Sequence, residues 1–228
     1  MIHYYDGTVF NTDAMAIVNT VNCTGVMNAG IALEYSLRYP NMFLDYETKC
    51  KNKQLKVGKI DYYKNDDILI INFPTKWHFK YPSQLPWIEL GLQDFIKTYR
   101  KHNITSVAFP KLGTNNGKLS WKDVQPLMEK YLGNLPIDVY ICLDNNKFAE
   151  GIEQQMLNYV NSLETSKLSQ YVRITSKQID IINSFKPFKR FWHIQDLDGI
   201  GTTLYKNIFK HCYSVINNEH KEEQISLF

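Results

Sequence analysis

A chain of 228 residues is long enough to bury a core, and fits one large domain or one medium domain with a small appendage. Hydrophobic content of 44% with 21% charged residues excludes a disordered chain, and a formal net charge of +3 permits a nucleic-acid partner without arguing for one. The four cysteines (Cys23, Cys50, Cys142, Cys212) show no CxxC and no paired histidine, so buried free thiols in a reducing compartment are expected rather than disulfides or a metal site. No signal-peptide pattern and no apolar run of about 18 residues is present, so the expectation is a cytoplasmic protein with no membrane partner. Aromatic content is high at 14%, with 15 tyrosines, and supplies many flat surfaces for stacking on bases.

In chain order, Ile2 to Tyr5 reads as an edge strand ended by Asp6 and Gly7. The apolar run Ala14 to Val18 continues through Asn19 and Asn22 as a strand. A loop holding Gly25 and Gly30 follows, then the helical spacing of Ile31, Leu33 and Leu37. In a strand, glycine loop and helix in that order, the first unpaired amides of the helix face the loop and form a site for a phosphate or diphosphate. Gly25 and Gly30 permit positive φ and close backbone approach, and the Asn22 amide has the donors and acceptor that ribose hydroxyls need. By itself this pattern fits an ordinary βα turn equally well.

Pro40 to Lys53 has the pattern of an amphipathic helix. Lys59 to Tyr63 and Ile68 to Phe73 read as strands about the turn Asn65-Asp66-Asp67, and the unbroken apolar Ile68 to Ile71 is typical of a strand covered on both faces. The loop Pro74 to Pro82 then carries Lys76, His78 and Lys80 among Trp77, Phe79 and Tyr81. Next come a helix from about Leu85 to Lys101, a strand Ile104 to Phe109, and a loop Lys111 to Ser120. A helix Trp121 to Leu132 follows with Ser120 as its N-cap, then a strand Ile137 to Leu143 and a helix Lys147 to Leu163. This alternation predicts a three-layer α/β/α domain over residues 1–160 with a mixed central sheet, whose ligands bind beyond the carboxyl ends of the strands.

From Glu164 the alternation ends, with nine Lys and Arg against seven Asp and Glu. Residues 165–218 read as a small helical appendage, with helices over Thr175 to Phe185 and Thr202 to Ile216. Leu197-Asp198-Gly199-Ile200-Gly201 resembles the hairpin of the helix-hairpin-helix element, whose amides contact a DNA phosphate; a plain glycine turn fits as well. Residues 219–228 read as a flexible tail. Its QISLF resembles the bacterial sliding-clamp peptide, with Gln224, Leu227 and Phe228 filling the clamp pocket; a tail packed on its own domain is the other reading.

The run VNTVNCTGVMNAGIALEY resembles the ADP-ribose loop of macrodomains, in the branch of terminal ADP-ribose glycohydrolases and DarG-type DNA ADP-ribosylglycohydrolases, the antitoxins paired with DarT toxins. Asn72-Phe73-Pro74-Thr75-Lys76-Trp77-His78 with Tyr81-Pro82-Ser83, and Phe109-Pro110-Lys111-Leu112-Gly113 through Leu119-Ser120-Trp121, resemble the same branch in the same order. The resemblance implies a macrodomain that takes ADP-ribose as substrate or product, with no cofactor and no metal. It implies contacts from Thr8, Val9, Asn19, Asn22, Gly25, Val26, Met27, Asn28, Ala29, Gly30 and Ile31 on one side. Leu112, Gly113, Thr114, Asn115, Asn116 and Gly117 would close over the diphosphate from the other.

Lys76 is implied as the catalytic residue, attacking the anomeric carbon or placing charge there. Its apolar neighbours Pro74, Trp77 and Phe79 are compatible with this, because desolvation lowers an amine pKa and raises its nucleophilic fraction; a solvated surface lysine is the ordinary alternative. His78 is an acid or base, or an aromatic packing residue. Thr8 stands where the family usually has an acidic residue beside the adenine. Asn28 and Asn115 replace family glycines, and asparagine tolerates positive φ better than other side-chain residues. Gly117 stands where terminal ADP-ribose glycohydrolases carry an aspartate, which is the DarG-type pattern. The implied activity is removal of ADP-ribose from modified, thymidine-type nucleobases in DNA, with ADP-ribosylated DNA, a DarT-like toxin and the sliding clamp as partners. A binding module that reads ADP-ribose without cleaving it, and a hydrolase acting on ADP-ribosylated protein carboxylates, remain open alternatives.

Overall fold

The computed structural model describes residues 1–66 and 68–226, with side chains to residue 218. Contacts divide the chain into two compact units, Met1–Asn145 and Asn146–Phe228. The first unit is built on a six-stranded sheet of β1 (Ile2–Tyr5), β2 (Ala16–Asn22), β3 (Asp61–Asn65), β4 (Ile68–Lys76), β5 (Ser106–Pro110) and β6 (Asp138–Cys142), in the order β1-β6-β5-β2-β4-β3. All pairings are parallel except β3 with β4. The sheet is mixed with helices on both faces, the architecture expected from the sequence.

The alternation of β2 decides which side chains meet which helices. Ile17 and Val21 go into one core with Tyr35 of α1 (Gly30–Arg38) and Met42 and Tyr46 of α2 (Pro40–Lys51). Ala16 and Val18 go into the other, with Leu92 and Phe95 of α3 (Leu85–Thr98) and Val124 and Met128 of α4 (Trp121–Leu132). Each large side chain so buried contributes about 1.5 to 3 kcal/mol. Helix α3 approaches closely enough that a Cβ on Gly91 would lie 2.3 Å from the Phe73 ring, so that position admits only glycine.

Several boundaries differ from the periodicity. The first hairpin strand begins at Asp61 rather than Lys59, and its turn residue Asp67 lies outside the described residues. Helix α3 stops at Thr98, where a 3-10 turn Tyr99–His102 leads to Asn103 in the left-handed region at φ 53°. Ser120 takes the N-cap position of α4, but its hydroxyl makes no capping bond.

In the second unit α5 (Gly151–Ser162) packs on α7 (Thr202–Ser226), so the helix expected to close the first domain belongs to this unit by contacts. Helix α6 (Ser176–Phe185) opens with a capping box between Thr175 and Gln178. Arg190 donates through Nε to both Glu153 carboxylate oxygens at 3.0 and 3.2 Å and through a terminal nitrogen to the Asn146 carbonyl at 2.9 Å. Gly199 is left-handed at φ 89°, and its carbonyl accepts from the Gln178 side chain at 3.1 Å. A 3-10 turn, Phe191–Ile194, precedes Leu197 to Gly201 where a helix-hairpin-helix has an α-helix, so the resemblance there extends to the hairpin alone. Helix α7 runs to Ser226, into the stretch expected as a flexible tail; Leu227 and Phe228 lie outside the described residues, as does the side chain of Gln224. Among the described residues no helix is long and apolar enough to cross a membrane.

Candidate active site

The parallel strands β2, β4 and β5 end on the same side of the sheet, and their loops are tied to one another there. The amide of Cys23, after β2, donates to the Trp77 carbonyl after β4 at 3.2 Å. Ser83, at the end of that second loop, donates its amide to the Gly117 carbonyl in the third at 2.9 Å. Lys76 closes the circle, its Nζ donating to the Asn116 carbonyl. The first and third loops also face each other, since a Cβ on Gly30 would lie 2.8 Å from the Asn116 amide nitrogen.

The first loop turns at Gly25 (φ 80°) and enters α1 at Gly30 (φ 56°). Leu33 is the first residue whose amide bonds back, to Ala29, which leaves the amides of Gly30, Ile31 and Ala32 as the unpaired start of the helix. Such a helix start stabilises an anion. Asn28 has no positive φ, so the glycine it replaces was not required there for backbone freedom. Val26, Asn28, Ala29 and Ile31 are exposed or half-buried along this loop, while Met27 is its buried floor.

Asn22 is engaged within the first loop. Its Nδ2 donates to the Val26 carbonyl at 2.6 Å, and its Oδ1 accepts from the Thr24 amide at 2.9 Å and hydroxyl at 2.7 Å. Tyr46 donates its hydroxyl to the Asn22 carbonyl at 2.8 Å from below. The residue is buried and holds the loop from within. Asn19 lies deeper still and fully buried. Asp61 accepts from Asn72 Nδ2 at 3.3 Å, which turns Asn72 Oδ1 toward Asn19 Nδ2 at 3.1 Å. Asn19 Nδ2 also touches Met27 Sδ at 3.8 Å, so Asn19 reaches the cleft only through the loop floor.

The third loop is left-handed at Gly113 (φ 66°), Asn115 (φ 44°) and Lys118 (φ 62°). Asn115 therefore does what its tolerance of positive φ suggests: it keeps the turn that a glycine would make. The amide of Gly117 bonds to Thr114 O at 2.7 Å and that of Leu119 to Gly113 O at 3.1 Å, a self-supporting turn over buried Leu112. The Ser83 hydroxyl is buried under Gly117, where a Cβ would meet it at 2.5 Å. At the far end Thr8 precedes a 3-10 turn, Val9–Asn11, and Val9 is buried, which leaves its main chain and Thr8 for any ligand there.

Lys76 stands between these loops at the last position of β4, in register with Asn22. Burial, and secondly the positive charge of Lys118, hold its amine below the ordinary value of 10.5. Lys118 was missed by sequence reasoning, and no residue pattern marks it: only the left-handed turn brings it there. His78 stacks on Phe79 with ring centroids 4.6 Å apart and accepts the Lys80 amide at Nδ1 (3.2 Å), so it serves as a packing residue of the turn. Cys23 is no rival nucleophile, since burial pushes its thiol up to about 12. All four cysteines are free thiols, three of them buried.

A model of the Macro domain family matches residues 18–128. The macrodomain of Mycobacterium tuberculosis DarG is 45% identical in sequence and superposes with a TM-score of 0.61, covering 62% of this chain and 97% of that one. The chain belongs to the macrodomain family. Within it, the chain is similar to DarG macrodomains, that of Thermus aquaticus included, at 32% identity and a TM-score of 0.60 over 63% of this chain and 98% of that one. The DNA ADP-ribosyl glycohydrolase of M. tuberculosis is 38% identical over 180 residues, 76% of this chain and 51% of that protein. Thermosipho africanus DarTG in complex with ADP-ribose superposes with a TM-score of 0.59 at 29% identity, covering 67% of this chain and 44% of that one. The chain spans about half the length of the curated relatives it matches.

Proposed function

We propose that this macrodomain is an ADP-ribosyl glycohydrolase that releases ADP-ribose from a modified nucleobase in DNA, with Lys76 as its reacting amine. The observation that carries the reading is the placement of Lys76: its amine is joined to the Asn116 carbonyl between two amide-lined turns, with its pKa lowered by burial. The α1 amides and the turn Gly113 to Gly117 supply the two sides of a diphosphate cradle. A neutral amine that donates one N–H to a carbonyl keeps its lone pair for the anomeric carbon: as the bond to the base breaks through an oxocarbenium-like state the base takes up the proton the amine gives up, and water then cleaves the sugar from Lys76, freeing ADP-ribose and the amine. Relatives named DNA ADP-ribosyl glycohydrolase support the substrate.

The test is incubation with an oligonucleotide carrying ADP-ribosylated thymidine. Wild-type protein releases ADP-ribose and Lys76→Ala does not, while calorimetry finds ADP-ribose bound by both. Equal release by Lys76→Ala would remove the lysine from the chemistry, and no release by wild type would remove the hydrolase. The left-handed Asn115 and the ordinary φ of Asn28 leave both turns formed, so neither substitution favours a reader that binds without cleaving. On the same reading a DarT-like toxin is a partner, supported by the T. africanus fusion protein of DNA ADP-ribosyl transferase and glycohydrolase. The sliding clamp, through Gln224, Leu227 and Phe228, is a second partner proposed from the tail residues; co-purification of the full chain with each tests both.

A further inference from the structure

The turn after Lys76 carries three large aromatic side chains that the core does not use: Trp77, Phe79 and Tyr81 are 58%, 42% and 57% exposed. Clustered rings at that exposure are unfavourable in water unless a partner covers them. The turn is closed by the Tyr81 amide on the His78 carbonyl at 3.1 Å, and its two ends are pinned at Cys23 and at Gly117 by the main-chain bonds described above. The Trp77 and Tyr81 rings share one orientation, 9° from parallel with centroids 6.4 Å apart. Residues 73–83 and 111–122 contain Lys76, Lys80, Lys111, Lys118 and Lys122 and not one Asp or Glu. Lys80 Nζ lies over the Phe79 ring at 5.8 Å and Lys118 lies near Lys76, so the parallel faces share these loops with cations, a combination complementary to a polymer of bases and phosphates.

We propose that Trp77 and Tyr81 form a stacking platform for an unpaired base next to the modified nucleotide, with Lys80 and Lys118 meeting the phosphates on either side of it. This rests on the reading of the substrate as ADP-ribosylated DNA and deepens it, because it assigns a second binding surface outside the ADP-ribose cradle. A base in a duplex is already stacked on its neighbours and has no free face to offer, so the platform selects unpaired strand. It is tolerant of sequence, since every base has a π-face.

The test uses the full chain and a labelled, unmodified single-stranded oligonucleotide of mixed sequence, read by fluorescence anisotropy, beside ADP-ribose titrations by calorimetry. Trp77→Ala and Tyr81→Ala are each expected to weaken oligonucleotide binding about ten-fold, with ADP-ribose affinity unchanged. Trp77→Phe restores most of the loss, and Lys80→Ala lowers the salt dependence by about one phosphate contact. Wild-type affinity for the oligonucleotide in both alanine variants overturns the platform, and so does tighter binding to the matching duplex. An equal loss for ADP-ribose also overturns it, because the rings would then only be shaping the cradle. The assay needs no turnover: a protein that binds strand through these rings but releases no ADP-ribose loses the hydrolase reading and keeps the platform.

Discussion

The two units spend their polar side chains in opposite ways. In residues 146–218 the charged and amide groups with low exposure are consumed by one another. Arg190 is locked on Glu153, whose Oε1 also takes the Phe191 amide at 2.8 Å; Asn161 makes a two-way pair with the Phe188 main chain at 2.9 and 3.0 Å; and Lys186 donates to the Leu163 carbonyl at 2.7 Å. Residues 1–145 have such pairs too, Asn19 with Asn72 and Arg38 with Glu34, but at the ends of β2, β4 and β5 the polar groups hold loops in shape and leave an amine and a helix start beside one another. Satisfied buried networks confer rigidity and little chemistry, whereas a site needs groups whose best partner is the ligand. Damage to the first region should cost function without stability, and damage to the second the reverse.

Lys76→Ala gives the largest effect on that contrast. Turnover should fall by about 1000-fold while the thermal midpoint stays put, as followed by release of ADP-ribose and by calorimetry. Glu153→Ala should do the opposite: it strands the Arg190 guanidinium and the Phe191 amide in a buried place, which costs about 3 kcal/mol of stability. Denaturant unfolding measures this, and ADP-ribose affinity of the folded protein should not change. Gly30→Val tests the cradle, since a side chain there is strained at φ 56° and meets Asn116; the strain of about 1 to 2 kcal/mol predicts roughly ten-fold weaker ADP-ribose binding.

The smallest effect is a shift in pH dependence. On the proposed function the reacting form of Lys76 is the neutral amine, so the rate should rise with pH and level off below pH 10.5, because burial and Lys118 lower its pKa. Lys118→Ala relieves the repulsion, raises that pKa and moves the rising limb to higher pH, with roughly a two-fold slower rate at neutral pH. A limb that stays where it was would exclude Lys118 from tuning the amine.

The alternation of apolar strands and amphipathic helices was enough to read the three-layer architecture, because burial on a given face forces a period of two or of 3.6 on the sequence. The loops were legible for a similar reason: glycines at Gly25, Gly30 and Gly113 stand where the chain is left-handed, and a lone lysine ends a buried strand. Boundaries set by local bonds were less legible. The Thr175 capping box closes through side-chain atoms that the apolar period does not report, and α3 stops at Thr98, three residues short of the Lys101 expected from the pattern. The ambiguity of Asn22 is of another kind. Its residue type suits a ribose hydroxyl as well as a loop, and which it serves depends on Val26, Thr24 and Tyr46 being within reach.

What the amino-acid sequence determined alone was the order of layers and the positions of the turns, since each follows from local pattern or from residue type. Only the tertiary structure decided that Lys76 meets Asn116, that Lys118 lies close enough to lower its pKa, and that Trp77 and Tyr81 lie parallel in the open. The first two are distances between residues some forty positions apart, which exist only once packing of the sheet brings three strand ends together, and the third depends on how one pinned turn is folded.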